Sequence, residues 1–180
     1  MTKEMEEIIK SHQHWLKNPN HGSRANLHNA DLYYADLRNV NLSDADLRNV
    51  CLRNANLSYT DLRYADLRNS DLRNADLSYA DLRNANLRYT DLRNANLSHI
   101  KISWNSHELL AELLWKAAGE NVDRQMLSAF VGRKVTWCWD TFLNQFFDHP
   151  EKGWALTTLA GWIEEGDEAP AEIKAQANKR

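Results

Sequence analysis

The sequence predicts a mainly β solenoid with a helix before it and a helical region after it. Three observations carry this reading. From Ala25 to His99 the chain is fifteen five-residue units without a gap, and residues 100–104 (IKISW) look like a decayed sixteenth. Leu stands at the centre of every unit, with a small or β-branched residue two places earlier. On both sides of this stretch the pattern changes to the spacing of amphipathic helices.

The central positions are Leu27, Leu32, Leu37, Leu42, Leu47, Leu52, Leu57, Leu62, Leu67, Leu72, Leu77, Leu82, Leu87, Leu92 and Leu97, with Ile102 in the sixteenth unit. The small place is mostly Ala, with Val40, Val50, Thr60, Ser70, Thr90 and Ile100 as variants. The residue before each Leu is Asp or Asn, except Cys51. No α-helix can use this pattern. Five steps of about 100° move each Leu roughly 140° around the axis, so the leucines would point everywhere. A straight strand fails as well, because residues an odd number apart alternate between its faces. Within one unit, however, the small residue and the Leu are two apart and share a face. The chain must then turn once per unit to bring the next pair inside. The result is a coil of short strands around a narrow core. So many aligned leucines are too much ordered apolar matter for a disordered low-complexity tract.

At these residues the chain resembles the pentapeptide repeat family, whose signature is A(D/N)Lxx. The resemblance covers residues 25–104. It implies a right-handed, four-sided β-helix with one unit per side, hence about four coils here. At a strand spacing of about 4.8 Å these rise only about 20 Å. Residues twenty apart then form ladders on the outer faces.

Ahead of the repeats, residues 1–24 read as a capping helix and linker. Met5, Ile8, Ile9, His12, Trp15 and Leu16 fall on one side at helical spacing. Thr2 suits the N-cap, and Glu4, Glu6 and Glu7 lie near the positive helix end. Residues 19–22 (PNHG) end the helix. A β-helix has an open apolar end and raw strand edges, and this helix is placed to cover the first coil. His12 and His14, two apart, do not share a helix face, so they make no metal pair.

Four-sided stacking places Arg48, Arg68 and Arg88 above His28, and Arg53, Arg73 and Arg93 above Tyr33. Tyr59 and Tyr79 stack between Asn39 and His99. Columns of arginine suggest a nucleic-acid track. Between residues 25 and 104, however, ten Asp face nine Arg and one Lys, for a net charge of zero. The reading favoured is a self-compensating ladder of exposed pairs, each worth roughly 0–1 kcal/mol. Nucleic acid is therefore not the expected partner. Cys51 replaces Asp or Asn at an outward place, with no base beside it, and reads as a neutral substitution.

After Trp104 the chain reads as an α-helical domain over residues 105–180. Helices are expected in HELLAELLWKAAG, from Asn121 to Gly132, in WCWDTFLNQFFDH, in EKGWALTTLAGWIEEG and, briefly, after Pro170. This segment holds five of the seven tryptophans and carries a charge of −4. Its core is small for independent stability, which suggests that it leans on the last coil or on a second copy. Trp137, Trp139, Trp154 and Trp162 are the candidate partner or dimer surface, with a homodimer through this end as one candidate assembly and the oligomeric state left open.

The whole chain has 180 residues and a net charge of −3, which names no partner. Two cysteines make no disulfide framework, and no apolar run approaches a membrane span. A cytoplasmic protein is expected. No phosphate loop, metal-ligand spacing or nucleophile with a base is visible, so no catalytic residue, cofactor or metal is predicted. The expected function is a non-catalytic scaffold or protein-interaction module whose protein partner binds the helical end. The resemblance implies an alternative, since some pentapeptide repeat proteins imitate duplex DNA, bind DNA gyrase or topoisomerase IV and protect against quinolones. Nucleic-acid binding through the Arg ladders is the third reading.

Overall fold

The computed structural model describes residues 2–103, 107–121, 151–160 and 171–177. The chain divides into two compact units, Met1–Ile102 and Ser103–Arg180. The first unit holds α1 (Lys3–Lys17) and the repeats. In the second lie α2 (His107–Ala118), α3 (Lys152–Ala160) and α4 (Ala171–Ala177).

The repeats form a coil with four sides. The residue before each Leu makes a parallel bridge to the residue twenty positions on, from Asn26 with Asp46 to Asp81 with Lys101. Four units therefore complete one turn, and the sixteenth unit closes the fourth. The ladder is regular. Leu27 N–H donates to the Asp46 carbonyl at 2.8 Å, and Asp46 N–H donates to the Ala25 carbonyl at 2.9 Å. The corner after each Leu is a tight turn, in which Ala30 N–H donates to the Leu27 carbonyl at 2.9 Å. Its third residue must turn left-handed, and fifteen such residues have φ between +54° and +62°. Eight are Asn, which tolerates this region, but five are Tyr.

Leucines 27 to 97 and Ile102 all lie inside, none more than 4 % exposed. The small places line the same core. Where they carry hydroxyls, the coil below supplies an acceptor. Thr60 Oγ1 donates to the Leu37 carbonyl at 3.0 Å, and Ser70 Oγ to the Leu47 carbonyl at 2.7 Å. These bonds satisfy hydroxyls that would otherwise cost about 1–3 kcal/mol each to bury.

Thr2 caps α1, its Oγ1 accepting Met5 N–H at 3.3 Å. The helix buries Ile9 and His12, with Met5, Ile8, Trp15 and Leu16 half-buried beside them. The chain then doubles back through Gly22 at φ +100°. A Cβ there would stand 2.2 Å from the Ser11 carbonyl oxygen, so only glycine lets the loop lie against the helix.

In the second unit, α3 packs on both α2 and α4. Leu110, Leu113, Leu114 and Ala118 of α2, Ala155, Leu156, Leu159 and Ala160 of α3, and Ile173 of α4 are buried. The helix expected from Asn121 to Gly132 lies outside the described residues beyond Asn121, as do the one over 137–149 and residues 161–166 of the one over 151–166.

Candidate interaction surface

The outward Asp or Asn of each unit has a local task. Its Oδ1 accepts the backbone N–H two residues on, as when Asp46 takes Arg48 N–H at 3.2 Å and Asn41 takes Ser43 N–H at 2.9 Å. This Asx turn starts the corner and explains why either residue serves there. Where Asp is followed by Arg two places later, a second layer is added. Arg48 Nε donates to Asp46 Oδ1 at 2.8 Å and Nη2 to Oδ2 at 2.5 Å. The same two-bond fork joins Arg38, Arg63, Arg68, Arg73, Arg83 and Arg93 to the Asp of their own units. The Arg48 guanidinium holds the Asp46 carboxyl down at about 2, against burial that pushes it up, and Arg38 lowers Asp36 to about 2.

The forks also reach between coils. Arg48 Nε is 3.8 Å from Asp66 Oδ2, Arg63 Nε 3.8 Å from Asp81 Oδ2, and Arg73 Nε 3.5 Å from Asp91 Oδ2. These arginines are thus held by paired bonds, a tighter arrangement than isolated exposed pairs. Two break the rule. Arg88 follows Asn86 and has no fork; its guanidinium lies 5.5 Å from the Tyr89 ring centroid. Arg53 follows Cys51, and its Nε is buried without a hydrogen-bond partner. It pairs only at 4.0 Å with Asp71 above, and its guanidinium lies 5.8 Å from the Tyr33 ring centroid. At Cys51 a thiol stands where seven other units offer Arg both carboxylate oxygens of a fork.

One side of the coil is poor in charge. Above Arg38 its units carry Ser58, Ser78 and Ser98, set against Asn56, Asp76 and Asn96. Along its corner runs an aromatic stack. Tyr59 and Tyr79 have centroids 4.7 Å apart, and Tyr79 and His99 repeat that spacing at 14°. Tyr59 and Tyr79 remain 57 % and 46 % exposed, so ring edges and hydroxyls face solvent. A shallow depression of about 380 Å³ lies between α1 and the first coil, lined by Glu4, Glu7, Ile8, Ser11, Ser23, Arg24 and Asn26.

Of the tryptophans named above, Trp154 is half-buried on α3, while Trp137, Trp139 and Trp162 lie outside the described residues. Trp115 of α2 is 45 % exposed. Among the described residues, no group of three His, Cys, Asp or Glu side chains stands ready for a metal ion. No helix among them is long and apolar enough to cross a membrane. Two features escaped the sequence reading, the Asx turn and the left-handed corner. Asn at the fifth place in eight of fifteen units was the signal for the second.

The model of the family called pentapeptide repeats matches residues 23–58, 51–88 and 60–98, which together span nearly the whole coil. The chain belongs to the pentapeptide repeat family. Its coil is accordingly the right-handed four-sided β-helix of that family. A pentapeptide repeat protein of Nostoc PCC 7120, alr5209, is 40 % identical over 47 % of this chain and 74 % of its own, with a TM-score of 0.32. Rfr23 of the cyanobacterium Cyanothece 51142 is 32 % identical over 45 % of this chain and 48 % of its own, with a TM-score of 0.30. QnrB1, a plasmid-mediated fluoroquinolone resistance protein, is 26 % identical over 48 % of this chain and 42 % of its own, with a TM-score of 0.43. This pentapeptide repeat chain thus spans about half the length of Rfr23. No curated protein matches it.

Proposed function

We propose that the protein is a non-catalytic scaffold: a rigid repeat coil that carries a partner-binding helical region at residues 105–180. The observation behind this is the closed charge network of the coil. Seven of its ten aspartates are held in two-bond forks by arginines of their own units. Such groups are already satisfied and gain little from an incoming ligand. Partner contacts then fall to residues that carry apolar surface, and the helical region has five of the seven tryptophans. Within this reading Trp137, Trp139, Trp154 and Trp162 form the partner or homodimer surface, in a cytoplasmic setting where Cys51 stays a free thiol. The experiment is an affinity pull-down from a bacterial lysate with the full chain and with a chain lacking residues 105–180. Loss of the captured protein on deletion supports the proposal, and unchanged capture refutes it. Light scattering on the same pair reads the dimer.

Two other readings, one implied by the family resemblance and one by the arginine columns, are weighed against the same surface. A DNA mimic acting on gyrase or topoisomerase IV needs carboxylates that are not neutralised, and of the coil's ten aspartates only Asp31, Asp44 and Asp76 lie outside the forks. A gyrase supercoiling assay over a titration of protein decides: no inhibition and no quinolone protection retires it. Binding of nucleic acid through arginine needs free guanidinium groups. Retention on DNA at low salt that falls steeply with added salt would support it.

A further inference from the structure

His12 lies on the apolar side of α1 and is fully buried. Its Nδ1 accepts the N–H of Ala25, the first residue of the first coil, at 3.1 Å. Nδ1 is therefore bare, and the proton of the neutral ring sits on Nε2, which is buried without a hydrogen-bond partner. The Trp15 ring stacks on the imidazole with centroids 5.5 Å apart. A second bond on this seam, Ser23 N–H to Ser11 Oγ at 3.0 Å, is neutral. A proton added at Nδ1 would set one N–H against another where a hydrogen bond now stands. It would also place a full charge where no water reaches.

α1 lies against the first coil, whose Leu27, Leu32, Leu37 and Leu42 are buried and whose backbone edge is open. Each later coil points the amide of its Asp or Asn place downward, as Asp46 N–H does to Ala25 and Asn56 N–H to Ala35. The same amides of the first coil, on Asn26, Asp31, Asp36 and Asn41, have no coil beneath them. Such a row is a template for strand pairing.

We infer that His12 is a pH-sensitive latch: neutral, it holds α1 on the first coil, and protonated, it releases the helix from that end of the coil. Charges reach the ring from two neighbouring elements. Asp44 and the Ser43 backbone of the first coil favour the cation, and Arg24 of the connecting loop opposes it. Burial outweighs the first two, so the folded ring stays neutral below its ordinary pKa of 6.5. Hold on the lid is therefore complete above that value. It weakens as the pH falls through 6.5, because a released ring takes up the proton that the buried one refuses.

The test is amide hydrogen exchange on the full chain, corrected for intrinsic rates, from about pH 8 to about pH 5, a span over which carboxylates stay ionised. The opening constant of α1 and the Ala25 amide should rise by up to about tenfold per pH unit below the ordinary histidine value. Amides of the middle coils, such as Leu52 and Leu57, should not follow. His12→Asn, whose side-chain carbonyl replaces Nδ1 as acceptor, should keep the helix docked and flatten the dependence. Exchange of α1 that stays level with pH in the native chain overturns the proposal, as does a His12→Asn chain that still opens in acid. Should that variant fail to dock at neutral pH, the ring titration of His12 followed by NMR decides. A midpoint at or above 6.5 overturns the latch, and one below it supports it.

Discussion

The rings of Tyr59 and Tyr79 stack with centroids 4.7 Å apart and planes only 1° from parallel. That spacing is the rise from one coil to the next, so the pair is a side-chain copy of the backbone ladder. Tyr79 also touches His99 above it. Tyr79→Ala should lower stability by about 1–2 kcal/mol, since each aromatic contact contributes about 0.5–1.5 kcal/mol. Urea unfolding reads this, with Tyr64→Ala as the unstacked control.

Tyr64 occupies the same left-handed corner at φ +60° but is 60 % exposed and has no stacked ring among the described residues. It bears the strain without the compensation. Tyr64→Asn should therefore stabilise the coil by about 0.5–1 kcal/mol, because Asn visits this region readily. An increase in melting temperature is expected, and Tyr79→Asn should not show it.

Leu62 is completely buried in the second coil. Leu62→Ala removes a core side chain between neighbours fixed by hydrogen bonds above and below, so collapse into the gap is restricted. The expected loss is about 2–5 kcal/mol. Circular dichroism during urea unfolding measures it.

Cys51→Asp should return two oxygens to the Arg53 guanidinium and complete the interrupted column. A gain of about 0.5–1 kcal/mol is expected from a fork at a partly exposed site. Cys51→Ser, which restores no carboxylate, should give no such gain in the same unfolding experiment.

Acid should act on the middle coils only at low pH. The forks hold Asp46 at about 2, below its ordinary 3.8. A lowered carboxylate stabilises the fold above 3.8, and that contribution fades as the pH drops toward 2. Exchange of middle-coil amides should therefore stay level down to about pH 4 and rise below it. Asp46→Asn, which keeps the Asx acceptor, should remove this residue's share of the rise.

The period of five and the two-residue spacing of small residue and Leu were legible in the sequence, because turning is the only geometry that returns every Leu to one core. The lid helix was equally legible from its apolar stripe and Thr2. The charge balance was a matter of counting, but the arginine columns and the aromatic stack needed one added fact, the number of residues per coil, which periodicity leaves open, the resemblance implied and the bridges set at twenty. The rest belongs to tertiary structure. Cys51 looks interchangeable in one dimension, and only the position of Arg53 Nε, closed in by the coil, reveals what the thiol fails to supply. His12 reads as one residue of a stripe, and its role depends on meeting the Ala25 amide thirteen residues away. Local spacing dictates which way a side chain points. Whether a buried polar atom finds a partner depends on groups distant in sequence, and only the folded coil brings those together.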